Sequence, residues 1–415
     1  MLKIFKRAVC AALCALLCSG CAGSRAGNGT DDISLHISTL PATELESIPI
    51  PAPGSAEDVD DFPDAATVAK EMGIGINLGN TMEAYDAAGC EKPSYEWIPV
   101  KGINTPHDYE TCWGAPVTTQ EMIDGIRDAG FDTVRIPVFW GNMMENDGEW
   151  QLSPEYISRV REITDMCLND DLYVVINIHH FDEFVIRRHT EEECRKIFNT
   201  IWTQIAEYFK DYPHRLVFEG YNEYLGGAQF SADGKLKDIP RADAYSMTNT
   251  LNQTFVDAVR STGANNAARV LIVSGYWTNI DLTTADDFVM PKDTAENRLM
   301  VSVHYVDNAM FWSNKIGGKE WKDYIDDQTG KLVHAFSEKN IPVFLGETTS
   351  RYNNKCFAED AEYTTSSECL GYVLEKLCEN GFVPVLWDTS GNFYSRSTNM
   401  IIREDDRNVI SRFAS

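Results

Sequence analysis

The chain has 415 residues, 43% of them hydrophobic, and its 63 acidic against 36 basic residues give a formal net charge of −27. That length accommodates one large domain or two to three average ones. The strong negative balance disfavours nucleic acid and anionic membrane surfaces, which both need positive charge, and suits a soluble protein acting on neutral or cationic ligands.

The first residues differ from the rest. Lys3, Lys6 and Arg7 precede an apolar run from Ala8 to Leu17, followed by Cys18-Ser19-Gly20-Cys21. A charged start, a short apolar stretch and small residues at its end make residues 1–21 an export signal. The run is too short for a permanent membrane span. Ser-Gly-Cys resembles the end of a bacterial lipoprotein signal, with Cys21 as the lipidated first residue. Cys18 stands where that pattern prefers leucine, and secretion with another cleavage site is the alternative. The expectation is therefore an exported protein, anchored at the cell surface or secreted. Residues 22–62 are rich in Gly, Ser, Thr, Pro, Asp and Glu, a composition that buries too little apolar area to fold, and read as a flexible tether. Residues 63–415 read as the folded domain.

Of the 11 cysteines, Cys10, Cys14, Cys18 and Cys21 lie in the leader. The others are Cys90, Cys112, Cys167, Cys194, Cys356, Cys369 and Cys378. They form no CxxC pair, which argues against zinc. Export permits disulfides, with Cys90–Cys112 and Cys356–Cys369 as the candidate loops and buried free thiols as the alternative.

From about residue 66 short apolar runs alternate with amphipathic segments. The runs are GIGINLG (73–79), TVRIPV (133–138), YVVINIHH (173–180), RLVFEGYNE (215–223), RVLIVSGY (269–276), LMVSVHYV (299–306), IPVFLGET (341–348) and PVLWDTS (384–390). Each is nearly continuously apolar, as in strands of a parallel sheet covered on both faces. The intervening segments carry apolar residues at helical spacing. TTQEMIDGIRDAG, for example, has a threonine cap, Glu121 in its first turn and Gly130 at its end. Eight such strands predict a (β/α)8 TIM barrel in a single catalytic domain. A doubly wound sheet is the alternative, disfavoured because GINLGNT lacks the GxGxxG phosphate loop. The long segment 81–117 after the first strand reads as a functional insertion.

In such a barrel the active site lies at the C-terminal strand ends. The residues there are polar: Arg135 on the second strand, Asn177, His179 and His180 on the third, and Asn222 with Glu223 on the fourth. The sixth ends in His304-Tyr305, the seventh in Glu347, and the eighth in Trp387-Asp388, where Asp388 reads as a turn former. Carboxylates on strands four and seven face each other across the mouth. Two such groups with aromatic neighbours are the equipment for cleaving a glycosidic bond, with retention if they stand about 5–5.5 Å apart and inversion if a water fits between them.

The motifs ETCWGAPVTTQEMIDGIRDAGFDTVRIPVFW, VVINIHH, IWTQIAEYFKDYPHRLVFEGYNE, VSVHY, IPVFLGE and VLWDTSG resemble the cellulase domain of glycoside hydrolase family five over about residues 66–405. The flavour is that of bacterial endoglucanases with relatives acting on xyloglucan, mixed-linkage glucan and xylan. The resemblance implies Glu223 as acid/base and Glu347 as nucleophile. It implies Asn222 as partner of the sugar 2-hydroxyl and Arg135 as the charge that keeps Glu347 ionised. His179 and His304 match site histidines, and Trp387 matches the sugar-stacking tryptophan. Asn77, Trp113, His180 and Tyr305 complete the candidate substrate contacts. The mechanism implied is a two-glutamate double displacement on a β-1,4-glucan, with a hemicellulase of the same fold or a weakly active glycan-binding protein as alternatives. It requires no metal or cofactor, and a monomer is expected.

Two positions depart from the family pattern. Asn222-Glu223 is followed by Tyr224 where proline is usual. His304-Tyr305-Val306 puts valine where a tyrosine holds the nucleophile. Adjacent strand residues point to opposite sides, so Tyr305 is not expected to substitute. Loss of that phenol predicts a less restrained nucleophile and reduced or redirected activity, with Tyr352 or Tyr276 as substitutes.

Overall fold

The computed structural model describes residues 61–85, 105–144, 148–181, 185–186, 189–223, 228–230, 236–348 and 352–414. The leader, nearly all of the tether, Cys90 and Tyr224 lie outside them.

Among the described residues, all eight apolar runs form strands. They are β1 Gly75–Asn77, β2 Thr133–Ile136, β3 Tyr173–Asn177, β4 Leu216–Glu219, β5 Leu271–Ser274, β6 Leu299–His304, β7 Val343–Thr348 and β8 Val383–Leu386. Each pairs in parallel with its sequence neighbours, and β1 pairs with β8, so the sheet closes into a barrel. The helices Gln120–Asp128, Pro154–Asn169, Glu191–Tyr208, Arg241–Ser261, Ile280–Thr283, Lys319–Ala335, Ser366–Glu379 and Glu404–Ile410 follow the strands in turn. The predicted TIM barrel is therefore the fold, and crossover helices are what parallel neighbours require.

Local chemistry starts the helices. The side chains of Ser153, Thr190 and Thr365 accept from free N–H groups in the first turn, and Glu193 and Glu368 complete capping boxes. Such caps contribute about 1 kcal/mol each. The threonine cap expected before Gln120 differs, since Thr119 occupies the N-cap position but its side chain makes no capping hydrogen bond. Gly130, at φ +93°, ends that helix as expected.

Alternation along the strands separates two cores. Val174, Ile176, Leu216, Phe218, Val301, Val303, Val343 and Leu345 join the large cluster against the helices. Tyr173, Val175, Val217, Ile272, Met300, Phe344, Val383 and Val385 form a second cluster with Ala65, Val68, Ala69 and Met72 of the helix Ala65–Glu71. That second cluster fills the barrel interior. The same parity sends Asn77, Arg135, Asn177, Glu219, Ser302 and His304 inward as the next layer, towards the C-terminal mouth.

Strand β7 breaks the alternation. Its register with β6 moves from Val303–Leu345 to His304–Glu347, one residue of β7 more than of β6. Its register with β8 shifts at the same place. Gly346 is the extra residue of this bulge, and the bulge turns Glu347 into the mouth, where strict alternation would have pointed it at the helices. Glycine is required there because an added Cβ would lie 2.9 Å from His304 Nε2 and 3.1 Å from Glu219 Oε1.

Two sequence expectations fail in the fold. Cys356 and Cys369 are buried free thiols, so of the two readings offered for them the disulfide fails and the free thiols hold. Val306 is buried in the outer core, and strand β6 ends at His304.

Candidate active site

The site assembles around a buried arginine. Arg135 Nε donates to Glu219 Oε2 at 2.7 Å, Nη1 donates to Asn77 Oδ1 at 2.9 Å, and Nη2 donates to Asn222 Oδ1 at 2.9 Å. Its contact with Glu347 Oε1 is longer, 3.5 Å from Nη1. Asn77 is pinned in turn by donating Nδ2 to the carbonyls of Gly346 and Leu386. Because Asn222 offers its oxygen to the guanidinium, its NH2 group is left to face elsewhere, and the Asn222 backbone N–H is held by Ile178 O at 2.9 Å.

Glu347 is 6% exposed. Tyr305 donates its hydroxyl to Glu347 Oε2 at 2.7 Å. This overturns the expectation that Tyr305 is turned away. The residue lies past the strand end at φ +44°, in the left-handed region, so the two-residue alternation no longer applies. Tyr305 swings into the mouth and Val306 takes the outward place. The hydroxyl expected from the position of Val306 comes from its neighbour, with no need of Tyr352 or Tyr276. Tyr352 instead donates to Asp307, and the Tyr276 ring packs edge-on to Tyr245. Burial and the nearby Glu347 carboxylate push the Tyr305 phenol well above its ordinary pKa, so it remains a neutral donor.

Burial also raises the Glu347 carboxyl above its ordinary range, with the charge of Glu223 acting in the same direction. His304, Arg135 and the Tyr305 hydroxyl pull it back. The resemblance gave Arg135 the task of keeping Glu347 ionised; the geometry shows a guanidinium engaged first with Glu219.

Glu223 is partly exposed at the rim. His304 Nδ1 lies 3.0 Å from Glu223 Oε1 and 3.9 Å from Glu347 Oε1. His304 Nε2 is buried without a hydrogen-bond partner, which places the ring proton on Nδ1, donating to Glu223. One oxygen of Glu223, one of Glu347 and His304 Nδ1 all lie within 4.8 Å of one another. Such closeness is in keeping with the shorter carboxyl separation at which one carboxylate attacks while the other handles the proton.

Flat rings complete the mouth. Trp387 is half-buried and lies nearly parallel to His179, with centroids 6.4 Å apart and planes at 12°. Its approach to the first loop depends on Gly79, where an added Cβ would sit 3.1 Å from the indole and 2.7 Å from Asp388 O. Burial, then the neighbouring His180, Arg135 and His304, push the His179 ring well below its usual pKa, so it is neutral. His180 stands edge-on to His179 at 4.7 Å, Tyr85 at 5.2 Å and Trp113 at 5.9 Å. Trp113 donates its indole N–H to Tyr85 O at 2.6 Å. The inserted segment thus contributes an aromatic wall against His180. Asp388 serves as the expected turn former, accepting from the N–H groups of Ser390, Phe393 and Tyr394.

Sequence reasoning missed Glu219, Ser302, Tyr85 and Glu83. Glu219 had a readable signal, a carboxylate inside an apolar strand with the parity of Val217. Glu83 shapes the loop after β1 by accepting from the N–H groups of Asn80 and Thr81, and burial pushes its carboxyl up to about 7.

Comparison with known proteins gives the family. A family model described as cellulase (glycosyl hydrolase family 5) matches residues 92–393. Endoglucanase A of Clostridium longisporum is 35% identical over 72% of this chain and 56% of its own length. A xyloglucan-specific endo-β-1,4-glucanase of Bacteroides ovatus is 30% identical over 76% of this chain and 63% of its own. The chain therefore spans less than two thirds of each of these two relatives. A mutant glycoside hydrolase 5 lichenase from Caldicellulosiruptor sp. F32, solved with cellotetraose, superposes with a TM-score of 0.71 at 30% identity, covering 85% of this chain and 96% of that one. With most of its folded region matched, and with an enzyme's pair of carboxylates at the barrel mouth, the chain belongs to the cellulases of glycosyl hydrolase family 5.

Proposed function

We propose that the protein is a retaining endo-β-1,4-glucanase acting by double displacement. The observation that carries this reading is the carboxylate pair, with oxygens of Glu223 and Glu347 within 4.8 Å of one another across the mouth. Glu347 attacks the anomeric carbon, and the bond from that carbon to the leaving oxygen breaks. Protonated Glu223 gives its proton to that oxygen. Water then attacks the glycosyl-enzyme ester, Glu223 takes its proton, and Glu347 departs as carboxylate.

The surrounding residues divide the remaining work. Tyr305 fixes one oxygen of Glu347. His304 occupies Oε1 of Glu223, so the catalytic proton resides on the other oxygen. Asn222, its oxygen held by Arg135, offers its NH2 to the sugar 2-hydroxyl. Trp387 supplies an apolar face for a glucosyl ring. The hydroxyl of Tyr305 removes the reason to expect a weakly active glycan-binding protein. A second reading, xyloglucan as the preferred substrate, draws support from the similarity to the Bacteroides ovatus enzyme.

Product release measured on carboxymethylcellulose, lichenan, xyloglucan, xylan and mannan ranks the substrates, and proton NMR of the first product gives the stereochemistry. The expected result is fastest cleavage of a β-1,4-glucan with the β anomer appearing first. An α anomer first would refute the double displacement, and fastest cleavage of xyloglucan would favour the second reading.

The same proposal places the enzyme outside the cytoplasm as a monomer, with domain 63–415 tethered through residues 22–62 to a lipid on Cys21. In a bacterial host fed labelled palmitate, the full chain takes up label and Cys21→Ser does not. Unlabelled protein in the medium would favour plain secretion.

A further inference from the structure

A third carboxylate lies beneath the pair. Glu219 is fully buried. Its Oε2 accepts from Arg135 Nε at 2.7 Å and from Asn177 Nδ2 at 3.0 Å, and its Oε1 accepts from Ser302 Oγ at 2.8 Å. Both oxygens accept from these neighbours, the pattern of an ionised carboxylate. It thus takes the shortest ion pair that Arg135 makes, while Glu347, the group that must attack, is left with the 3.5 Å contact. Resting on the assignment of Glu347 as nucleophile, we propose that Glu219 is a positioning residue. It holds Arg135 by Nε, away from a close pair with Glu347, so that the nucleophile stays loosely paired while the guanidinium still orients Asn77 and Asn222.

The physical reason is competition for one cation. A carboxylate in a short, charge-assisted bond to a guanidinium is stabilised in its ionised form and gives up that stabilisation when it forms an ester. Glu347 is faced by Arg135 from β2, His304 and Tyr305 from β6 and its following turn, and Glu223 from beyond β4, with Glu219 below. Among these groups Glu219 is the anion that engages Arg135 most closely. Removing its charge frees the full positive charge of Arg135 for Glu347 and also removes a repulsion. Both effects lower the pH at which Glu347 ionises, and both make it a poorer nucleophile. Glu219→Gln fits the site sterically and in hydrogen bonding. Its amide oxygen can face Arg135 and Asn177, and its NH2 can face the Ser302 hydroxyl, which rotates to accept.

The test uses the full chain and a dinitrophenyl 2-deoxy-2-fluoro-β-cellobioside, which forms a long-lived ester on the nucleophile. The rate constant of inactivation is followed against pH, and the labelled peptide is identified by mass spectrometry. In the wild type the label falls on Glu347. In Glu219→Gln the acidic limb moves to lower pH by about one unit, and the plateau rate falls about tenfold. Glu219→Asp keeps the charge but withdraws it by one methylene, so its limb moves the same way by less. This variant carries the test if the glutamine variant does not fold. A purely structural role would lower the melting temperature of the variants with the limb unmoved, and that outcome overturns the proposal. A wild-type label on a residue other than Glu347 overturns the nucleophile assignment itself, and this inference with it.

Discussion

Glu347→Ala is expected to lose about 10⁴-fold or more in kcat/KM on cello-oligosaccharides, roughly 5 kcal/mol of transition-state stabilisation, with the fold intact. The size follows from what the side chain does. In the proposed mechanism it forms the covalent bond, and none of the described neighbours at the mouth stands in its place with the same approach to the anomeric carbon. Tyr305 is a neutral donor, and Glu223 lies across the cleft, bonded to His304. The shorter Glu347→Gly variant separates this loss from disorder. With azide and an activated aryl cellobioside it regains turnover and releases an α-glycosyl azide, because azide enters from the face the carboxylate vacated. Activity of Glu347→Ala above about a hundredth of wild type would sink the assignment. In the wild type, burial holds the Glu347 carboxyl above the ordinary range. Activity therefore fails as pH falls through that raised value, and the acidic limb of kcat/KM lies higher than an exposed glutamate would give.

Glu223→Ala is expected to behave differently. On natural glucans kcat/KM falls about 10²–10⁴-fold, the range for a lost general acid. On a dinitrophenyl cellobioside, whose leaving group needs no proton, the first step stays fast and the glycosyl-enzyme accumulates. A burst of dinitrophenolate followed by slow turnover is the signature. Azide speeds the second step and yields a β-glycosyl azide, the opposite anomer from that of the Glu347 variant. Equal losses on both substrates, with no burst, would mean that Glu223 is not the proton donor. The two azide products together test the pair, as each carboxylate is predicted to leave a different face open.

The strands show where sequence reading succeeds. Runs such as YVVI and LVF are apolar without gaps because both faces of a barrel strand are buried, so composition alone marks them. Their ends were read too long: 173–180 became Tyr173–Asn177, and 215–223 became Leu216–Glu219. Hydrophobicity continues past the last ladder hydrogen bond, and only pairing geometry says where the strand stops. Arg135, Asn222, Glu223, Glu347 and Trp387 were legible because a polar or aromatic group at the end of a buried run is costly unless it has a task. His180 and Trp113 were legible as candidates only. Their meeting with Tyr85 depends on how the inserted segment folds over the mouth.

Tyr305 was misread for a reason that local pattern does not contain. The rule that neighbours point to opposite sides holds inside a strand, and one left-handed residue after His304 cancels it. Gly346 carries the complementary case. Alternation alone would have turned Glu347 outward, and a one-residue bulge turned it in. Cys356 and Cys369 stay free, the alternative reading, because closeness in sequence does not bring two thiols face to face.

By itself, then, the sequence determined the barrel, its polar mouth, and the placing there of Glu223 and Glu347 with Asn222 and Trp387. These follow from hydrophobic periodicity and from the cost of burying charge, both properties of short stretches. The tertiary structure decided the separation of the acids, the donor that restrains the nucleophile, and the partner that Arg135 prefers. Those depend on register, on a bulge and on a single turn residue, where displacements of a few ångströms change which oxygen meets which proton. Distances of that size between residues far apart in the chain, 42 positions for Tyr305 and Glu347 and 84 for Arg135 and Glu219, are set only when the ring of strands closes.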